Sequence, residues 1–223
     1  MKTMLRASAM LVVTLALAML SAAGQAVPAA GHKAPSVGPS EFEMGLTFTY
    51  KFAQVSAVSG SRYVMLGESL DGVYYPSGKM RNLGLAFDIN QERKESVEPG
   101  WTSPCTSSPC VISPGVGLSQ FSGVVGPRFR WGLGKGEKHP ISAYAQGLFG
   151  AVYGYNSYFP HVGAATTTAS SLAVQAGGGL NMRLTRNLGL RLVEADYVMS
   201  RLPNNANNYQ GDLRMSNGIT FRF

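Results

Sequence analysis

Residues 41–52 read EFEMGLTFTYKF, and their side chains alternate without interruption. Phe42, Met44, Leu46, Phe48, Tyr50 and Phe52 share one face, and Glu43, Gly45, Thr47, Thr49 and Lys51 share the other. Period two over this length predicts a strand, about as long as the ~9–11 residues a tilted strand needs to cross a bilayer. The pattern recurs. NLGLAFDINQ (82–91) sets Leu83, Leu85, Phe87 and Ile89 against Gly84, Ala86, Asp88 and Asn90. LSQFSGVVGPRFRWG (118–132) sets Phe121, Val125, Phe129 and Trp131 against Ser122, Arg128 and Arg130. SLAVQAGGGLNMRL (171–184) sets Leu172, Val174, Leu180, Met182 and Leu184 against Gln175, Asn181 and Arg183. LGESLDGVYYP (66–76) is a weaker candidate, and ISAYAQGLFGAVYGY (141–155) is strand-like with its facing open. Two more candidates, 187–202 and 209–223, bring the total to eight. The last runs to Phe223, with Leu213, Met215, Ile219, Phe221 and Phe223 on one face and Asp212, Arg214, Ser216, Gly218, Thr220 and Arg222 on the other.

The seventh candidate, NLGLRLVEADYVMSRL, breaks parity. Leu188, Leu190 and Leu192 share a face with Glu194 and Asp196, whereas Arg191 shares one with Val193, Tyr197 and Met199. A one-residue slip repairs this, so either a β-bulge lies near 190–193 or Arg191 reaches out to a membrane rim.

The N-terminus narrows the setting. A basic opening (Lys2, Arg6), the apolar run LVVTLALAML and the small residues SAAGQA have the layout of a secretory leader over 1–26, cleaved after Ala26. The apolar run is shorter than the ~20 residues of a spanning helix, and no longer run follows it. Residues 27–40, VPAAGHKAPSVGPS, read as a flexible lead-in. Residues 41–223 then form one domain. The formal charge of +7 is compatible with anionic headgroups, but without a dense basic stripe it carries no nucleic-acid argument. In an exported chain Cys105 and Cys110, in WTSPCTSSPCVISP, are expected to form a disulfide across a loop tip, since a zinc site wants further ligands and no third Cys exists.

An exported chain without a membrane helix can span a bilayer only as a closed barrel, because hydrocarbon satisfies no backbone N–H or C=O. The connections agree with that. PSGKMR, LGKGEKHP and TRN are short, while those around 53–65, 92–117, 156–170 and 203–208 are mostly longer and rich in Ser, Thr, Asn, Gly and Pro. Membrane barrels have short turns on the periplasmic side and longer loops outside. A soluble eight-stranded carrier also alternates, but its apolar face points inward. Against that alternative, only 14% of residues are charged, and the polar faces mix Gly and Ser with isolated charges. Aromatics also gather near strand ends (Phe42, Tyr50, Phe52, Tyr74, Tyr75, Trp131, Tyr153, Tyr197, Phe221, Phe223), as in interfacial girdles.

The ITFRF ending, with Ile219, Phe221 and Phe223 alternating, resembles the C-terminal signal that the barrel-assembly machinery reads in outer-membrane barrels. Residues 41–223 as a whole are similar to the small eight-stranded outer-membrane β-barrel family, including the transmembrane domain of outer-membrane protein A. VVGPRFRW, AYAQGLFG and GLRLVEADYVMSRLPNNANNYQGDLRMSNGITFRF carry the likeness. It implies an all-β, antiparallel up-and-down barrel in the outer membrane of a Gram-negative-type bacterium. The implied partners are outer-membrane lipid and the assembly machinery, with no cofactor and no catalytic motif.

Eight strands leave an interior that side chains can fill. Glu43, Lys51, Asp88, Arg128, Arg130, Gln175, Asn181, Arg183, Glu194, Asp196, Asp212, Arg214 and Arg222 are its expected occupants, and acids with bases suggest an ion-pair network. Of the histidines, only His161, in YFPHVGAATTTASS, has hydroxyls nearby on the outer side. Lipid A deacylases use a His and a Ser two residues apart on a strand, and Gly163 occupies that second position here. GLGKGEKHP lacks the phosphate-loop signature, since Gly136 follows Lys135 where a hydroxyl is needed. No metal-ligand spacing appears. The expected function is therefore a non-enzymatic envelope barrel whose polar loops can meet an extracellular ligand. The alternatives are a narrow passive pore, a lipid-modifying enzyme or a soluble barrel binder.

Overall fold

The computed structural model describes residues 41–54, 62–97, 116–133, 141–156, 159–161, 164–203 and 208–223. Its strands are β1 (Glu41–Gln54), β2 (Arg62–Tyr75), β3 (Leu83–Val97), β4 (Val116–Gly132), β5 (Ile141–Tyr155), β6 (Phe159–His161), β7 (Ala164–Thr166), β8 (Ala169–Arg183), β9 (Leu188–Ser200) and β10 (Gln210–Arg222). Eight of them close into an antiparallel up-and-down barrel in the order β1-β2-β3-β4-β5-β8-β9-β10, and β10 returns to β1. The closing register runs from Glu43 opposite Arg222 to Phe52 opposite Leu213, so every strand has two neighbours. Such closure leaves no row of unpaired backbone groups. β6 and β7 pair as a small hairpin inside the connection from β5 to β8, where the sequence pattern shows only a polar loop. The leader, the lead-in and both cysteines lie outside the described residues.

The faces are inverted relative to a soluble protein. Phe48 is 69% exposed and Leu172 77%, while Lys51, Asp88, Arg128 and Arg214 are almost wholly buried. Outward Phe121 and Trp131 lie ten positions apart on β4. At ~3.4 Å per residue and a tilt of ~35–45° they stand about 25 Å apart along the barrel axis, the height of a membrane barrel's apolar band. Glu68 is an exception, exposed on the outward face midway along β2.

Three facings that the sequence left open are now decided. β2 is as long as β1 and turns Met65, Ser69, Asp71, Val73 and Tyr75 inward. Tyr75 therefore does not belong to an outer girdle; it is 3% exposed, inside the barrel. β5 turns Tyr144, Gln146, Leu148 and Val152 inward and leaves Phe149 and Tyr153 outside. In β9, Glu194 opposes Ser216 while Arg191 opposes Gly218, and on the other side Val193 opposes Leu180 while Arg191 opposes Asn181. Two steps of β10 match three of β9, so Leu192 is the extra residue of a β-bulge, half-exposed on the outer face. Arg191 thus points inward and is 2% exposed, which corrects the alternative that it reaches for a membrane rim.

The closing seam also requires close backbone approach. A Cβ on Gly218 would lie 2.1 Å from the Leu46 carbonyl oxygen, a backbone atom that cannot swing aside. Gly218→Val is expected to abolish the compact form that migrates faster on an unboiled gel than on a boiled one. Gly147→Ala, at an outward position with open space around it, should leave that form intact.

Candidate functional site: the charged interior

The inward residues form tiers along the barrel axis. At the short-turn end, Arg130 Nη2 lies 2.6 Å from Glu41 Oε2, with its guanidinium 3.8 Å over the Tyr75 ring. Beside it Arg222 Nε donates to Glu43 Oε2 at 3.0 Å, and Asn181 Nδ2 donates to Glu43 Oε1 at 2.8 Å.

The next tier centres on Asp71. Arg191 grips it with both terminal nitrogens, Nη1 to Oδ1 at 2.6 Å and Nη2 to Oδ2 at 2.9 Å, and Arg128 Nη1 adds a bond to Oδ2 at 3.2 Å. This fork-to-carboxylate geometry is the strong form of charge-assisted hydrogen bond. Gly45 makes the room, because a Cβ there would sit 2.2 Å from Asp71 Oδ1. Arg191 also meets Glu194 Oε2 at 2.8 Å, and the Tyr144 hydroxyl donates to the same oxygen. Both guanidiniums lie against the Tyr144 ring, Arg128 at 4.5 Å and Arg191 at 5.4 Å. Gln146 Nε2 then bridges Glu194 Oε1 (3.1 Å) and Asp196 Oδ1 (3.0 Å).

Further along, Arg214 Nη2 binds Asp88 Oδ2 and, at 3.0 Å, Asp196 Oδ2; Gln175 Nε2 donates to the same two oxygens at 3.1 and 3.0 Å. The last charged tier is Lys51, whose Nζ meets Glu92 at 3.1 Å, Asp212 at 3.2 Å and Gln120 Oε1 at 2.6 Å. Beyond it, toward the long connections, the lumen turns apolar. Ala53, Met65, Leu118, Val152, Ala173 and Leu202 pack together there, with Met65 and Leu202 fully buried. Leu202 lies two positions past the end of β9, and Gln210 Nε2 donates to its carbonyl at 3.5 Å.

This interior is a cross-linked ion-pair core under an apolar cap. No cluster of His, Cys, Asp and Glu among the described residues is disposed to hold a metal ion. Glu43, Lys51, Asp88, Arg128, Glu194, Asp196, Asp212, Arg214 and Arg222 are buried in these tiers, and Arg130 is half-buried at the rim. Arg183 is the correction. It is exposed at the end of β8, two positions beyond Asn181 at the limit of the buried interior. Sequence reading also missed Asp71, Glu92, Gln120, Tyr144, Gln146 and Arg191. Asp71 sits in the weakly patterned β2, and only the bulge brings Arg191 inward. Ile219 and Phe223 are exposed on the outer face of the closing strand with Phe221 partly covered between them.

Asp71 is the acid on which the largest imbalance depends. Replacing it with Ala leaves Arg128 and Arg191 buried without it, and breaking a buried pair costs about 3–5 kcal/mol. Asp71→Ala should therefore lower the urea midpoint of the folded barrel far more than Arg130→Gln, whose partner keeps solvent contact at the rim.

No protein-family model matches the sequence, and no curated protein matches it. Solved structures do match the fold. Neisserial surface protein A superposes with a TM-score of 0.54 at 13% identity, covering 82% of this chain and 97% of that one. The attachment invasion locus protein Ail of Yersinia pestis, in complex with the heparin analogue sucrose octasulfate, superposes with a TM-score of 0.50 at 19% identity, covering 82% of this chain and 99% of that one. The chain has the fold of the small eight-stranded outer-membrane β-barrels.

Proposed function

We propose that a chain with this fold is a non-enzymatic barrel of a Gram-negative-type outer membrane, with an envelope role and an outer end that meets extracellular ligands. One observation carries the reading: a closed barrel whose outside is apolar and whose inside is ion-paired and capped. An apolar exterior is stable only where the solvent is apolar, and the aromatic spacing on β4 fits the thickness of that solvent. The cap of Met65, Leu118 and Leu202 favours a sealed lumen over a pore. The binding element rests on the long connections. The sequence places Trp101, Tyr158, Phe159 and Tyr209 there, the β6–β7 hairpin rises from one of them, and Ail was captured with a sulfated sugar.

The test begins with membrane fractionation and a comparison of boiled and unboiled gel mobility. A heat-modifiable band in the outer-membrane fraction supports the reading; a soluble periplasmic monomer without that shift overturns it. In planar bilayers the wild type should show no steady open level. Met65→Gly with Leu202→Gly, which removes the cap, should produce one, and a steady conductance in the wild type would instead favour the passive pore. The terminal aromatic is read as an assembly signal, so Phe223→Asp should lower barrel yield several-fold while Trp101→Ala changes it little.

A further inference from the structure

The short-turn rim carries a feature that the envelope reading leaves unused. The turn from β2 to β3 (76–82) exposes Lys79 and Arg81, and the end of β8 with the turn into β9 (183–187) exposes Arg183 and Arg186. None of these four cations has an ion pair among the described residues, because the described acids nearest this rim are already engaged. Glu41 is held by Arg130 and Arg222, and Glu43 by Arg222 and Asn181.

Both turns are fixed by hydrogen bonds. In the first, Arg81 N donates to Gly78 O at 3.3 Å and Leu83 N to Met80 O at 2.8 Å, while Arg130 N ties Asn82 O to β4 at 2.8 Å. In the second, Leu184 N and Thr185 N donate to Leu188 O at 3.0 and 2.9 Å, and Asn187 Nδ2 donates to Arg222 O at 2.8 Å. Each turn also exposes a large apolar side chain between its cations: Met80 is 65% exposed between Lys79 and Arg81, and Leu184 is 50% exposed between Arg183 and Arg186. Exposed Trp131 lies near the end of β4 at the same rim.

A soluble polyanion would be served by the cations alone and would leave Met80 and Leu184 in water. A bilayer surface uses both, with apolar groups in the acyl boundary and cations at the phosphates, where Lys and Arg are attracted to an anionic surface. We propose that Lys79, Arg81, Arg183 and Arg186, with Met80 and Leu184 between them, form a collar that binds anionic phospholipid headgroups and enriches them around the short-turn rim. The proposal rests on the membrane reading above.

Trp131 is the natural reporter. It stands on β4, next to the strand that follows the first turn, and Trp101 is the chain's other tryptophan. The mature chain with Trp101→Phe is folded into phosphatidylcholine vesicles containing equal fractions of brominated phosphatidylglycerol or brominated phosphatidylcholine. Insertion is checked by heat-modifiable mobility in the same samples, so a failure of the membrane reading shows there first and separately. With insertion intact, phosphatidylglycerol should quench Trp131 with an apparent affinity at least about threefold above phosphatidylcholine. The preference should fall toward unity in 0.5 M salt (about a 4–5 Å screening length) and in the Lys79→Gln, Arg81→Gln, Arg183→Gln, Arg186→Gln variant.

Equal quenching by the two lipids overturns the collar, as does a preference that the variant keeps. If the fourfold variant gives no heat-modifiable band, Lys79→Gln with Arg81→Gln alone, nearest the reporter, decides by the same criterion.

Discussion

Backbone hydrogen bonding in a medium without water is the constraint on which the rest of this structure depends. A strand with an apolar outer face can enter hydrocarbon only if each N–H and C=O finds a partner on another strand. The seam between β1 and β10 meets that requirement by joining the first strand to the last. With the edges gone, the alternation of each strand divides the molecule into an apolar outside and a polar inside. The ion pairs are therefore a result of closure.

Once closed, eight strands leave too little room for a water-filled channel, so the inward side chains must satisfy one another. The tiers do this largely by sharing partners, although Arg128 Nη2 and Arg214 Nε and Nη1 are buried without a hydrogen-bond partner. Asp71 is held by two arginines, Gln146 bridges two acids, and Arg214 with Gln175 joins Asp88 to Asp196. Buried pairs of this kind add little stability relative to well-packed apolar residues, but leaving one member alone is costly. They penalise a misregistered barrel more than they strengthen a correct one, because each tier unites strands that are far apart in sequence. Asp71 and Arg191 lie 120 positions apart, and Glu43 and Arg222 lie 179 apart.

The two ends of the barrel differ in kind. At the long-connection end the described interior holds Met65, Leu118, Val152 and Leu202, buried and packed together. At the short-turn end it finishes in paired charges, and the two described turns there expose cations and apolar side chains on the surface. The first arrangement is apolar; the second combines paired interior charges with exposed cations and apolar side chains.

The sequence by itself determined the architecture and the facing of most strands. Period two in 41–52, 82–91, 118–132, 171–184 and 209–223 separates the faces wherever the pattern is clean. The scarcity of charge shows which face is outside, and the alternation of short and long connections orders the ends. Only the tertiary structure decided the partners and the exceptions. Tyr75 passed for a girdle residue because position along a strand does not reveal facing when the strand's own pattern is weak. Arg183 fell in phase with the interior but lies beyond its end. Arg191 looked outward because parity is counted residue by residue, and the extra residue at Leu192 resets that count. Alternation records which face a side chain takes; strand register and bulges, set when all eight strands close together, decide what it meets there.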